Sequence, residues 1–154
     1  MARARREVAG WEKKSDTPQR EYKSVSFVLE SADENTGEFS GYAAVFGNVD
    51  SGGDVIEKGA FAEDFARIKI LSQHNSYDLP IGKPLELRED EKGLYIRGKI
   101  SDTQTGRDIR TLLKDGVLAE LSIGYDAVDF EWDGDSGIRH LKEIKLWEVS
   151  IVTW

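Results

Sequence analysis

A small set of residue types limits the nucleophilic and acid–base chemistry of this chain, which contains two histidines and no cysteine. His74 ends an apolar, strand-like run and precedes a loop with Pro80 and Gly82. A histidine that transfers protons in a protein without cysteine needs a hydroxyl, carboxylate or metal partner. His74 is therefore either an ordinary core or surface residue or a general base that serves another side chain.

Ser122 is the serine with the most unusual setting, in the middle of the apolar stretch "LAELSIGYDA". In a strand, Leu121, Ile123 and Tyr125 share one face, and Ser122 and Gly124 lie on the other. A small polar residue followed by glycine leaves space above a sheet, where a substrate backbone could approach. The pattern also fits a serine that bonds to a neighbouring backbone group or faces solvent.

Glu148 is a carboxylate embedded in the apolar segment "KLWEVSIVTW". Burial of a lone carboxylate is costly, so a buried Glu148 needs a partner. It could orient a histidine, as the acid of a Ser-His-acid triad does. Alternatively, it faces solvent from an open sheet. Spacing alone does not show that His74, Ser122 and Glu148 meet, and His140 is interpreted as a surface residue.

A metal site is a weaker interpretation of the same residues. Zinc sites usually draw several ligands from histidine and cysteine, and only His74 and His140 are present. The loop "NVDSGGDVIE" contains Asp50, Asp54 and Glu57, but it lacks the full ligand pattern of an EF-hand. Asp and Gly are also common turn residues. We therefore predict neither a metal nor another cofactor.

Composition excludes several function classes. The net charge of −8 argues against a nucleic-acid partner, because such proteins need clustered Lys and Arg. No apolar run approaches the roughly 20 residues that span a bilayer, so we expect no membrane partner. The absence of cysteine is compatible with a reducing compartment without proving one.

The hydrophobic pattern predicts one domain over residues 21–154 after a flexible arm over residues 1–20. The expected fold is mainly β with short helices: a mostly antiparallel, closed or nearly closed barrel surrounded by helices. The first two strands are expected to form a hairpin, and residues 48–59 a loop. Predicted strands cover 21–30, 39–47, 69–74, 81–90, 93–101, 118–132 and 138–154, and predicted helices cover 59–68 and 103–116.

Four stretches stand in register along the chain: "FSGYAAVFGNVDSGGDVIEKGAF", "LSQHN" followed by "PIGKPLELREDEKGLYIRGKI", "LKDGVLAELSIGY" and "EIKLWEVSIVT". Together they make residues 21–154 resemble the tailed-phage prohead (procapsid) maturation serine proteases, which are similar in fold to the herpesvirus assemblins. The resemblance implies His74 in "LSQHN" as base, Ser122 in "LAELSIGY" as nucleophile and Glu148 in "LWEVSIV" as orienting acid, with His140 as the rival for the third position.

The resemblance implies a serine endopeptidase that cleaves the scaffold segment of the major capsid protein, and itself, inside the procapsid in the host cytoplasm. The alternative is a catalytically silent capsid-assembly component of the same fold. Self-association as a homodimer or higher oligomer is a further expectation, because the two phenylalanines of "GAFAEDFARI" could meet a second subunit or pack on the barrel. Family chains continue past the last strand, so a chain that ends at Trp154 is expected to be trimmed or processed.

Overall fold

The computed structural model describes residues 20–25, 30–50, 52–61 and 64–154. Half of these residues lie in strands and 9% in helix, which confirms a mainly β fold. The predicted arm over residues 1–20 lies outside the described residues, apart from Arg20. The elements are β1 (Glu21–Val25), β2 (Ser31–Ala32), β3 (Glu38–Val45), β4 (Asp54–Ile56), β5 (Ile70–Ser72), β6 (Gly82–Glu89), β7 (Gly93–Ile100), α1 (Gln104–Lys114), β8 (Glu120–Trp132) and β9 (Arg139–Val152).

The described strands form one sheet in the order β1-β8-β9-β5-β6-β7-β3-β2, and β4 pairs separately with β9. Neighbours are antiparallel except for β4 and β5, which both run parallel to β9. The sheet curls strongly into a half-barrel but stays open, and helices are few. The predicted closed or nearly closed barrel surrounded by helices is therefore wrong in its closure and in its surrounding helices. Hydrophobic alternation identifies strands, but closure depends on strand tilt and stagger, which the pattern does not encode.

The predicted hairpin of the first two strands is confirmed near its turn, where β2 pairs antiparallel with β3. The start of the first predicted strand differs, since β1 pairs with β8, and residues 26–29 lie outside the described residues. The loop predicted over residues 48–59 contains the short strand β4. Both differences arise from pairings between segments that are distant in sequence, which local patterns do not specify.

The helix predicted over residues 59–68 is wrong for the residues that the structure describes there, which form turns and an isolated bridge from Phe61 to Ile144. The Asp64 side chain accepts a hydrogen bond from the Ala66 backbone N–H at 3.3 Å, a local contact that competes with a helix. Phe61 and Phe65 pack against the core. Their helix-like spacing therefore reflects the packing of a loop on the core rather than a helix.

The helix predicted over residues 103–116 is confirmed as α1. Thr103 caps its start, since the Thr103 hydroxyl accepts from the Gly106 backbone N–H at 3.0 Å. Gly116 follows its end with a φ of 70°, a conformation that favours glycine. Ile109 and Leu113 are buried against the sheet. No helix in the described part of the chain is long and apolar enough to span a membrane.

Strands β8 and β9 present two chemically different faces. On one face, Leu121 and Ile123 pair with Ile151 and Val149, and all four are buried in the hydrophobic core. The opposite face of the same register carries small and polar residues, because side chains alternate along a strand. These polar positions are Ser122 and Gly124 on β8 and Glu148 and Ser150 on β9.

A buried charge cluster ties β1, β4, β8 and β9 together. Arg139 donates to both carboxylate oxygens of Asp54, at 2.9 and 2.5 Å, and to Glu21. The Tyr125 hydroxyl donates to Asp54 at 3.2 Å. Burial, reinforced by the negative charge of Asp54, raises the pKa of Tyr125 above its ordinary range, so this hydroxyl remains a donor. The cluster therefore holds the buried Asp54 carboxylate by paired, directional contacts.

We predict that Arg139→Met lowers the free energy of unfolding by about 3 kcal/mol, because it leaves the Asp54 carboxylate buried without its cation. Urea denaturation measures this change. Arg107→Met is the matched control, since Arg107 pairs with Asp102 where both side chains are largely exposed. Equal, small losses in the two variants would contradict the stabilising role of the cluster.

Candidate active site

His74 reaches the polar face of the sheet through an unusual turn after β5. Gln73 and His74 both have positive φ values, of 55° and 56°. Such left-handed conformations cost roughly 1–3 kcal/mol in non-glycine residues and persist only where the surroundings fix them. Here the Gln73 backbone N–H donates to the Ile151 carbonyl at 3.0 Å, and the His74 backbone N–H donates to the Ser150 hydroxyl oxygen at 3.0 Å. The turn thus points the imidazole back over β8 and β9.

Both imidazole nitrogens of His74 have partners. Nδ1 lies 2.6 Å from Glu148 Oε1, and Nε2 lies 2.7 Å from Ser122 Oγ. Because a carboxylate only accepts, Nδ1 carries a proton and donates to Glu148. In the neutral imidazole, Nε2 is then free to accept the Ser122 hydroxyl proton. The structure therefore brings together the three residues singled out from the sequence, in the order hydroxyl, imidazole, carboxylate.

Burial strengthens these contacts. Ser122 is 0% exposed and Glu148 is 5% exposed, whereas the His74 side chain keeps 18% of its surface. A low local dielectric makes a satisfied hydrogen bond stronger and an unpaired polar group more costly. Glu148 satisfies its second oxygen as well, since Oε2 accepts from the Ser150 hydroxyl at 2.6 Å. The embedded carboxylate therefore has partners on both oxygens.

Gly124 makes room for the Glu148 carboxylate. The two residues are paired across β8 and β9, and a Cβ added at Gly124 would lie 2.5 Å from Glu148 Oε1. That distance is shorter than a van der Waals contact, so any other residue at position 124 must displace the carboxylate. The space that the sequence suggested for a substrate backbone is instead occupied by Glu148.

Two neighbours of the site were not identified from the sequence. The Tyr22 ring lies on the His74 ring, with centroids 4.4 Å apart. Beside Glu148, a cavity of about 220 Å³ is lined in part by Trp147, Lys69 and Pro80. Neither could have been located from local patterns, because both depend on strands that are distant in sequence. Ser150 is a third neighbour that the sequence analysis did not identify, although it lies two residues from Glu148 and hence on the same strand face.

The alternative site residues from the sequence analysis, His140, Asp50 and Asp54, contact residues other than His74. His140 Nδ1 is 2.6 Å from Glu57 Oε1, so Glu148 and not His140 contacts the His74 ring. Asp54 pairs with Arg139, and Asp50 Oδ1 accepts from the Asp54 backbone N–H at 2.8 Å. Within the described residues, no group of three or more His, Asp or Glu side chains is arranged to hold a metal ion.

Comparison with known families assigns a class to the chain that carries this hydroxyl–imidazole–carboxylate series. The profile of the family described as caudovirus prohead serine protease matches residues 25–154. The chain therefore belongs to this family, as the sequence resemblance indicated.

Individual relatives agree with this assignment. The chain is 35% identical over 142 residues to the prohead protease of Enterobacteria phage HK97, covering 86% of this chain and 63% of the relative. It is 34% identical over 109 residues to the prohead protease of Escherichia phage T5, covering 68% of this chain and 51% of the relative. The chain thus spans less than two thirds of the length of either relative.

A solved structure supports the fold. The capsid assembly protease of bacteriophage T4 superposes with a TM-score of 0.68, covering 90% of this chain and 99% of the T4 chain. The identity is only 11%, so this similarity concerns the fold alone.

We predict that Gly124→Ala breaks the His74–Glu148 contact, because the new methyl group occupies the position of Oε1. A proton shared by an imidazole nitrogen and a carboxylate resonates far downfield. Both histidines contact a carboxylate, so all spectra are recorded in a His140→Ala background, which leaves the signal of His74. NMR of ¹⁵N-histidine-labelled protein should show this resonance in the wild type and its loss in Gly124→Ala.

Gly134→Ala is the control for this experiment. Gly134 lies in the turn between β8 and β9, where an added Cβ meets no described atom within 4 Å. The downfield resonance should remain in this variant. Its persistence in Gly124→Ala would show that Glu148 can accommodate the methyl group.

Proposed function

We propose that this chain is a serine endopeptidase of phage capsid maturation, with Ser122 as nucleophile, His74 as general base and Glu148 as orienting acid. The observation that carries the proposal is the continuous pair of hydrogen bonds from Ser122 Oγ to His74 Nε2 at 2.7 Å and from His74 Nδ1 to Glu148 Oε1 at 2.6 Å. Membership of the prohead serine protease family supports it.

The proposed reaction follows from the positions of the protons. Ser122 Oγ attacks the peptide carbonyl carbon while its proton moves to His74 Nε2. The resulting imidazolium is stabilised by the Glu148 carboxylate, which remains ionised. His74 then returns the proton to the leaving amine, and an acyl group stays on Ser122. Water, deprotonated by His74, attacks this ester and releases the second product.

The proposed substrate is the scaffold segment of the major capsid protein, together with the protease itself, inside the procapsid in the host cytoplasm. The prohead protease relatives support this choice. The proposed reaction requires no cofactor, nucleic acid or membrane. Regulated self-association, as a homodimer or a higher oligomer, belongs to the same proposal.

Substrate access requires a local movement. Ser122 is 0% exposed, so a peptide carbonyl reaches its Oγ only after a neighbouring group moves aside. A protease that acts after capsid assembly benefits from such a closed form, because its substrate surrounds it during assembly.

We predict that Ser122→Ala lowers cleavage of the capsid protein by at least about 10⁴-fold. Glu148→Gln should lower it by roughly 10³- to 10⁴-fold, because the amide cannot hold the imidazole in the reactive tautomer. The protein is co-expressed with the scaffold-bearing capsid protein, and intact-mass spectrometry measures processing in the assembled procapsids.

His140→Ala is the control, since it removes the other histidine and should leave processing unchanged. If Ser122→Ala procapsids are processed like the wild type, the nucleophile assignment is wrong. If wild-type procapsids assemble but are never processed, the chain is instead a silent component of capsid assembly.

A further inference from the structure

Ser150 links the acid to the backbone of the base. Its hydroxyl donates to Glu148 Oε2 at 2.6 Å and accepts from the His74 backbone N–H at 3.0 Å. Ser150 is 0% exposed, so water does not compete for either contact. A hydroxyl has one donor and two acceptor lone pairs. With its single proton on the carboxylate, Ser150 can accept the His74 N–H without conflict.

The strand register places Ser150 between the strand of Ser122 and the strand that leads to His74. Glu148 and Ser150 are two residues apart on β9, so both side chains lie on the polar face. Ser150 pairs with Ser122 across β8 and with Leu71 across β5. The positions of β9 that pair with both β8 and β5 are Val149, Ser150 and Ile151, and of these three Ser150 is the one on the polar face.

The two hydrogen bonds of Ser150 stabilise two different unfavourable features of the site, a buried carboxylate oxygen and a left-handed backbone. The Glu148 carboxylate uses Oε1 for His74, and without Ser150 its buried Oε2 would lose the donor that satisfies it. The left-handed backbone of His74 is unfavourable without external contacts. The same hydroxyl thus fixes the rotation of the carboxylate and the turn that carries the imidazole.

We propose that Ser150 is a positioning residue that holds the Glu148 carboxylate and the His74 turn in the arrangement that transfers the Ser122 proton. The proposal rests on the proposed function insofar as it assigns a consequence for catalysis. Its structural part, the coupling of Glu148 and His74 through one hydroxyl, can be tested without any activity.

The test uses Ser150→Ala and the isosteric pair Ser150→Thr and Ser150→Val in the full chain. Threonine and valine have the same shape, but only threonine retains the hydroxyl, so the pair separates hydrogen bonding from packing. The first readout is the downfield His74 Nδ1 proton in ¹⁵N-histidine NMR. We expect it in the wild type and Ser150→Thr, and we expect it to be lost or severely broadened in Ser150→Ala and Ser150→Val.

The second readout is the kinetics of capsid-peptide cleavage. Displacement of a reacting group by about 1 Å costs up to about 100-fold in rate. We therefore expect kcat to fall roughly 10- to 100-fold in Ser150→Ala and Ser150→Val, with KM nearly unchanged, and to be largely retained in Ser150→Thr. Ser72→Ala, which removes a hydroxyl from the adjacent strand β5, is the control and should leave both readouts unchanged.

The outcomes separate this proposal from the proposed function. If the wild type shows no cleavage but the NMR pattern follows the hydroxyl, the positioning role stands and the protease assignment fails. Equal spectra and equal kcat in Ser150→Thr and Ser150→Val would overturn the proposal, because packing alone would then explain both. Retention of the resonance and of kcat in Ser150→Ala would overturn it as well.

Discussion

The arrangement of the site depends on the burial of one carboxylate. Glu148 lies on the inner strand β9 with 5% of its surface exposed, where an unpaired charge would be strongly destabilising. Its compensation requires a donor for each oxygen and enough space for the carboxylate itself. His74 and Ser150 supply the donors, and the absence of a side chain at Gly124 supplies the space. The left-handed backbone of Gln73 and His74 accompanies this arrangement.

The same constraint relates structure to function. A carboxylate held on both oxygens cannot rotate away from the imidazole, so the His74 tautomer is set before a substrate binds. The Ser122 hydroxyl completes the series on the next strand. Ser122 has no exposed surface in this form of the protein. Under the proposed function, a substrate therefore reaches Ser122 only after a neighbouring group moves.

Much of the fold and the site could be predicted where local patterns determine the outcome. Alternation in β8 placed Ser122 on the face opposite Leu121 and Ile123, and the cost of burying a carboxylate indicated that a buried Glu148 needs a partner. The contact itself could not be derived from spacing, because His74 and Glu148 are 74 positions apart and meet through the parallel register of β5 on β9. The same limit explains the incorrect barrel closure. The helix predicted over residues 59–68 failed because apolar spacing does not distinguish a helix from a loop packed on a sheet.

The most direct test of the central claim, that Ser122, His74 and Glu148 act as one catalytic unit, is the mapping of a fluorophosphonate adduct by mass spectrometry. The protein should be labelled within procapsids assembled with its capsid protein, where the site must open to act. The account predicts one phosphonyl adduct on the peptide that contains Ser122 and its loss in His74→Ala. An adduct on a different residue, equal labelling of Ser122 in His74→Ala, or processing of the capsid protein by enzyme that is fully labelled at Ser122 would contradict it.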